Sequence, residues 1–222
     1  MTIARKPFHH PSEALLLTYA AGSLGEAESV ALSTHLTLCP QCRRAVASAE
    51  AIGGALLEDL DEAPVSTDGL KAVLAQIEHE QAKPYPLPQP VAATAFPDLP
   101  QSLARYAEAA LSETGWRKVA PGVQQLRLKT GGGARARLLR LKPGTPLPEH
   151  SHRGSELTLV LSGSYTDELG CFGRGDMAEL DDSVTHRPIV DLGQDCVALI
   201  VTEAPLRFSG LMARIAQPFV GI

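Results

Sequence analysis

Two groups of residues in this 222-residue chain have the types and spacings of metal ligands. The first is His35-x-x-x-Cys39-x-x-Cys42. Four positions apart near a helix end, His35 and Cys39 face the same way, and the CxxC turn brings Cys42 to the same point. Two thiolates with imidazoles in tetrahedral geometry suit zinc, so Zn2+ is the expected occupant. A closed site needs a fourth ligand. His10 is the candidate and its neighbour His9 the rival. A thioredoxin-like redox pair would require the CxxC to follow a strand, whereas helical patterns flank it here.

The second group is His150-x-His152-x3-Glu156, set between Gly144 and Gly163, with His186 further on. On a strand, His150 and His152 point to one face, and Glu156 has the same parity if the Arg153–Gly154 turn keeps the register. Gly163 reads as the turn into the next strand. Phe172-Gly173-x-Gly175-Asp176 reads as another turn, with His186 eleven residues after Gly175. Three imidazoles and a carboxylate can hold Zn2+ or another divalent transition metal inside a barrel. The other two cysteines, Cys171 and Cys196, read as small buried residues on strands. A sensing thiol would need exposure and a depressed pKa.

Helices must position the first group. Ser12 can cap a helix carrying Leu15, Leu16, Leu17 and Tyr19, which Gly22 ends. A second runs from about Glu26 to Leu38 and a third from Pro40 to about Leu60. Asp68 can cap a fourth, with Leu70, Val73, Leu74 and Ile77 on one stripe. Six prolines between Pro84 and Pro100 form a semi-rigid linker. Beyond it the chain turns to strand-like segments broken by glycine and proline. The expected organisation is therefore a helical metal-binding domain over residues 1–83, a linker over 84–100 and a β domain over 101–222. A metal staple suits so small a helical core.

Composition narrows the function. Hydrophobic residues make up 44% and charged residues 20%, enough to build a core. No apolar run is long enough to span a membrane, and the N-terminus lacks a signal-peptide stretch, so a cytoplasmic protein is expected. The net charge of −5 argues against direct binding to nucleic acid. Residues 1–83 hold six Lys/Arg against eleven Asp/Glu, while residues 84–222 are balanced. The acidic cluster at Glu58, Asp59, Asp61 and Glu62 suits a docking face for a basic partner.

Gly144 to Gly163 matches the first cupin motif, G-x5-H-x-H-x3-E-x6-G, and Gly175 to His186 resembles the second. Asp181, Ser183 and Val190 stand where the second motif has proline, glycine and asparagine. This resemblance implies an antiparallel jelly-roll barrel. His10, His35, Cys39 and Cys42 fall on the four ligand positions of the zinc-binding anti-sigma domain. That domain joined to a cupin resembles the ChrR-type anti-sigma factors, and the likeness runs from His9-His10 through the His150–Gly154 stretch to Ile215–Phe219.

The resemblance implies a multi-domain α + β protein that binds a group IV (extracytoplasmic-function) sigma factor 1:1 and keeps it from RNA polymerase. Some members respond to singlet oxygen and related oxidative stress. One departure stands out: Ala198 occupies the position of a second cysteine two residues after the one matching Cys196, which argues against a thiol-pair switch there. The alternative function is a metal-dependent cupin enzyme, dioxygenase-like, with the zinc domain attached.

Overall fold

Ser12 and Gly22 bracket the first helix, α1 (Glu13–Ala20). In the computed structural model, which describes residues 6–81 and 99–208, Ser12 Oγ accepts the Leu15 N–H at 3.2 Å, and Gly22 takes φ 67°. Helix α2 (Glu26–Leu38) passes through an extended Cys39 into α3 (Pro40–Glu58). Pro40 sits in the first turn of α3, where its missing N–H costs nothing. Helix α4 (Gly69–Gln81) follows. The linker prolines from Pro84 to Pro97 and the Ile215–Phe219 stretch lie outside the described residues.

The segment after the linker departs from the sequence reading. Residues Gln101–Glu113 form a helix, α5, instead of opening a run of strands. Its buried face is Leu103, Ala104, Ala107 and Ala110. Alanine is the strongest helix former but a weak hydrophobic mark, so this stripe was hidden from an apolar-period search.

Twelve strands follow among the described residues. They are β1 (Arg117–Ala120), β2 (Val123–Arg127), β3 (Arg135–Leu141), β4 (His150–Ser151), β5 (Glu156–Ser162) and β6 (Ser164–Asp167), then β7 (Gly170–Gly173), β8 (Met177–Leu180), β9 (Thr185–His186), β10 (Ile189–Val190), β11 (Cys196–Thr202) and β12 (Arg207–Phe208). All paired strands are antiparallel. One sheet has the order β1-β2-β3-β11-β5-β8, and two three-stranded sheets, β10-β6-β7 and β12-β4-β9, complete a cupin-like barrel. Gly163 makes the β5–β6 turn at φ 70°. A Cβ there would lie 2.6 Å from Asp195 O, so only glycine fits.

The large sheet is buried on both faces, which is why β5 reads as a nearly continuous apolar run. Leu157 and Leu159 face outward with Leu138, Leu199 and Val201. That face packs against α2 and α5, in one cluster that includes Val30, Ala31 and Leu32 of α2, Leu103 and Ala107 of α5 and, beyond them, Leu16 of α1. The alternate residues, among them Leu139, Val160 and Ala178, point into the barrel with Tyr165, Phe172 and Val190. The helical segment and the barrel therefore share one core. Polar contacts add to it: the Tyr106 hydroxyl donates to Glu26 Oε1 at 2.6 Å, and Glu26 also accepts the Gly131 N–H.

Among the described residues, no helix is long and apolar enough to cross a membrane. One apolar surface remains open to solvent. Leu70, Val73, Leu74 and Ile77 of α4 are all at least 44% exposed, as are Ile52, Leu56 and Leu57 in the last turns of α3 and Leu60 just beyond it.

Candidate metal centres

The α2–α3 junction builds the first centre. Cys39 ends one helix and caps the next, its sulfur accepting the Cys42 N–H at 3.5 Å, which holds both sulfurs on one side of the turn. His35 lies one turn earlier on α2. His10, in the extended segment before Ser12, closes the group. One ligand atom from each of His10, His35, Cys39 and Cys42 lies within 4.8 Å of every other. His10 Nδ1 is 3.4 Å from each sulfur. A tetrahedral ion bonded to sulfur at about 2.3 Å and to nitrogen at about 2.05 Å sets those atoms roughly 3.5 Å apart. His9 points elsewhere: its ring stacks on Phe172 with centroids 4.1 Å apart.

The electrostatics fit a cation. Burial pushes the Cys42 thiol up to about 12, and the Cys39 sulfur beside it pushes the same way. Two sulfurs so close can ionise together only around a positive charge. Burial also drives His35 down to about 4, against the pull of its bond to Gly175, so its imidazole is neutral. Because Gly175 O can only accept, His35 Nδ1 carries the proton of their 2.9 Å bond. This leaves Nε2 as a lone pair, buried and without a hydrogen-bond partner.

Gly175 belongs to the barrel, and a clasp surrounds this bond. Asp176 Oδ1 accepts the N–H groups of Phe8 at 2.5 Å and His9 at 3.0 Å, while Oδ2 accepts from Gly173 at 2.8 Å. The Met177 N–H donates to His9 O at 3.1 Å. Glu179 accepts the Ser12 N–H at 2.7 Å and its hydroxyl at 3.0 Å. Gly175 has φ 90°, and a Cβ there would meet Pro7 Cγ at 2.8 Å. The barrel turn thus fixes the segment that carries His10. In the sequence Asp176 is marked only as part of a turn, and Glu179 carries no mark at all. Their partners lie 167 or 168 positions away, and no local signal marks such contacts.

The second centre lies at one end of the barrel. His150 on β4 pairs directly with His186 on β9. The Arg153–Gly154 turn carries the chain from this small sheet into the large one, so Glu156 opens β5 rather than continuing the strand of His150. The carboxylate still reaches the cluster. His150, His152, Glu156 and His186 are each at most 5% exposed, and their ligand atoms also lie within 4.8 Å of one another.

His150 Nδ1 donates to Pro148 O at 2.9 Å, and His186 Nδ1 to Asp167 Oδ2 at 2.8 Å. Both Nε2 atoms are therefore acceptors, yet they stand 3.0 Å apart. Two lone pairs at that distance call for a cation between them. Nitrogens about 2.1 Å from one ion lie roughly 3 Å apart when they meet it at right angles and roughly 3.4 Å apart in a tetrahedron. His152 Nδ1 is 3.3 Å from Glu156 Oε2. Burial opposes ionisation of Glu156, but His152, His150 and the Thr158 hydroxyl outweigh it and hold its carboxyl below the usual range. Burial lowers His150, so its imidazole favours the ligating form.

Asp181 explains how the altered second motif still turns. Its Oδ1 accepts the Ser183 N–H at 2.9 Å and hydroxyl at 2.5 Å, a side-chain turn that replaces proline and glycine. The remaining two thiols differ: Cys196 is buried, as the sequence reading expected, whereas Cys171 is not, because it lies on the solvent side of the short β7 strand. Cys196 is fully buried, and burial with the nearby Asp191 pushes it up to about 12. Cys171 is exposed, with its sulfur 3.8 Å from Asp191 Oδ2.

A helical module bearing two histidines and two cysteines, docked on a cupin-like barrel with a three-histidine, one-glutamate cluster, is the class of protein that fold and sites define. Residues 106–205 match the family model of the ChrR cupin-like domain. The chain is 42% identical over 214 residues to the anti-sigma-E factor ChrR of Cereibacter sphaeroides, covering 96% of this chain and 98% of the relative. It also resembles the crystal structure of Rhodobacter sphaeroides SigE in complex with the anti-sigma ChrR, with a TM-score of 0.74 and 41% identity over 88% of this chain and 98% of that one. The chain belongs to the family of ChrR anti-sigma factors.

Proposed function

We propose that this protein is a cytoplasmic anti-sigma factor that binds a group IV (extracytoplasmic-function) sigma factor 1:1 and keeps it from RNA polymerase. The observation that carries this reading is the open apolar stripe of α4, continued by the end of α3. A folded chain seldom leaves so many large side chains of an amphipathic helix in water unless a partner covers them. The acidic run Glu58, Asp59, Asp61 and Glu62 lies between these two helices and suits a basic partner. The relative is named for the same role. The stoichiometric, covering character of such a surface favours regulation over the enzyme reading.

In this reading residues 1–83 engage the partner and residues 101–222 receive the signal. His10, His35, Cys39 and Cys42 hold structural Zn2+. His150, His152, Glu156 and His186 hold Zn2+ or another divalent transition metal. The clasp at Gly175, Asp176 and Glu179, with the Phe172–His9 stack, gives the barrel a direct mechanical hold on the first centre.

The test is reconstitution of the full chain with a sigma factor encoded beside it. A 1:1 complex by light scattering and loss of transcription from the cognate promoter are expected. A full chain with both metals that neither binds nor inhibits it would refute the proposal.

The receiver role has its own test. Changing His152→Ala with Glu156→Ala should leave sigma binding within about threefold of the parent but blunt stress-induced release. Cys171→Ser with Cys196→Ser should release normally, because the buried thiol is protonated and residue 198 offers no partner sulfur. The opposite pattern, with release lost only in the cysteine variant, would move the sensor to the thiols.

A further inference from the structure

We propose that the exposed arginines at the β1–β2–β3 edge of the large sheet are a docking surface for a second copy of this chain, whose acidic run Glu58, Asp59, Asp61 and Glu62 they receive. Residues 117–142 hold eight Lys/Arg and no Asp/Glu, although residues 84–222 as a whole are balanced. Three of the eight, Arg117, Arg127 and Arg135, are exposed and share one face of the sheet. Arg117 stands opposite Gln125 and Arg127 opposite Arg137, so the period of two along each strand aligns all three.

This placement opposes the stability of the sheet, because like charges directly opposite one another repel. Burial lowers the Arg137 guanidinium to about 10, and Arg127 and Arg135 push it the same way while Glu156 resists. Arg137 itself is already engaged within the chain and takes no part in docking. Among the described residues, no carboxylate pairs with Arg117, Arg127 or Arg135. Arg127 and Arg135 line an open groove with Thr130, Gly132 and Gly133. A Cβ on either glycine would meet nothing within 4 Å, so the floor of the groove is bare backbone. A cationic surface kept against its own repulsion calls for an anionic partner.

The chain carries the matching surface. Glu58, Asp59, Asp61 and Glu62 put four exposed carboxylates into five positions where α3 ends, and among the described residues none of them has a partner. No ion pair joins the two regions within one chain, so the match is made between copies. Adjacent strands lie about 4.8 Å apart, so the three arginines start from backbones within about 10 Å. Five residues span at most about 17 Å, a comparable length. The exposed Leu57 and Leu60 beside the carboxylates fit along arginine stems, which cover apolar surface while their heads pair. Nucleic acid fits less well, because the net charge of −5 repels a long polyanion. Each copy offers both surfaces, so two copies about a twofold axis make the contact twice and close. The inference rests on the proposed function only for its consequence: the acidic run also faces the sigma factor, so self-association and sigma binding exclude each other.

The full-length protein is followed by analytical ultracentrifugation from about 5 to 200 µM, in about 0.05 M salt and in about 0.5 M, where the screening length falls to roughly 4 Å. At low salt the weight-average mass should rise toward twice the monomer, and at high salt the dissociation constant should weaken at least tenfold. Arg127→Glu with Arg135→Glu should be monomeric, and so should Asp59→Lys with Asp61→Lys. Mixed in equal amounts, the two variants should associate, because native and reversed charges then match at both contacts. All four side chains are exposed, so both variants should keep the parent's melting temperature. A parent that stays monomeric at low salt, an arginine variant that associates like the parent, or a folded mixture that stays monomeric would each overturn the proposal. So would saturable binding of a short single-stranded DNA by a monomeric parent, lost in the arginine variant, which would give the patch to nucleic acid. Added sigma factor should convert the pair into the 1:1 complex, and the arginine variant should bind it at least as tightly as the parent. A parent that self-associates as described but binds no sigma factor would strike the proposed function and leave this inference standing.

Discussion

Changing Cys39 to serine is expected to remove the first metal, the order of the surrounding helices and sigma-factor binding together. Cys39 occupies three roles at one point. It ends α2, caps α3 through its sulfur and supplies one of four convergent ligand atoms. Those atoms tie the His10 segment to the α2–α3 junction. The binding energy of a structural zinc in a small domain is on the order of 10 kcal/mol, more than a helical core of this size can supply alone. The barrel moderates the loss unevenly. Val30, Ala31 and Leu32 of α2 pack against the sheet, whereas α3 buries only Cys42 and Val46. Hydrogen exchange should therefore rise first in α1 and α3, and later in α2. Zinc content should fall by about one ion per chain, and the dissociation constant of the sigma complex should rise at least 100-fold. A zinc-free Cys39→Ser protein that still bound tightly would show that the metal has no part in presenting the docking surface.

Val73→Asp combined with Leu74→Asp should abolish sigma binding without destabilising the free protein. Both side chains are 51% exposed in the free chain, so replacing them breaks little existing packing. On a partner they would be covered. Burying an aliphatic side chain contributes about 1.5–3 kcal/mol, so losing two costs about 3–6 kcal/mol, a 100-fold or greater weakening. Forcing two carboxylates into an apolar contact adds to that loss. The expected result is an unchanged melting temperature and two metals per chain, with no detectable complex at concentrations that saturate the parent. Unaltered binding would place the partner on another face and leave the exposed stripe without a function. This variant separates docking from folding, which the cysteine variant cannot do.

Much of the helical module was legible in the sequence because its signals are local. Ser12, Gly22 and Pro40 act on their own turns, so the ends of α1 and the α2–α3 break follow from residue chemistry within a few positions. The His35, Cys39 and Cys42 spacing is likewise set by one helix end and one turn. Where two adjacent residues competed, spacing could not choose. Tertiary contacts turn His10 toward the sulfurs and His9 onto Phe172. Helix α5 escaped notice because its buried face is built largely of alanine, which packs well but weighs little in any hydrophobic pattern.

The barrel shows the same division at longer range. Motif spacing brought His150, His152, Glu156 and His186 into one candidate cluster, but for a simpler reason than the chain uses. Parity along one strand would align the first three. In the fold, the Gly154 turn sends Glu156 into a different sheet, and His186 arrives by direct cross-strand pairing with His150. The sequence by itself determined which side chains could ligate metal, the turns that punctuate them and the excess of acid in the helical part. Tertiary structure alone decided that helices and barrel share one core, that Gly175, Asp176 and Glu179 grip the segment of His10, and that Glu156 reaches the second cluster from a different sheet than His150. The physical reason is distance along the chain. A cap or a ligand pair acts within one or two turns and leaves its mark in spacing. Contacts spanning 140 to 168 residues are selected by the packing of whole elements and leave no period to read.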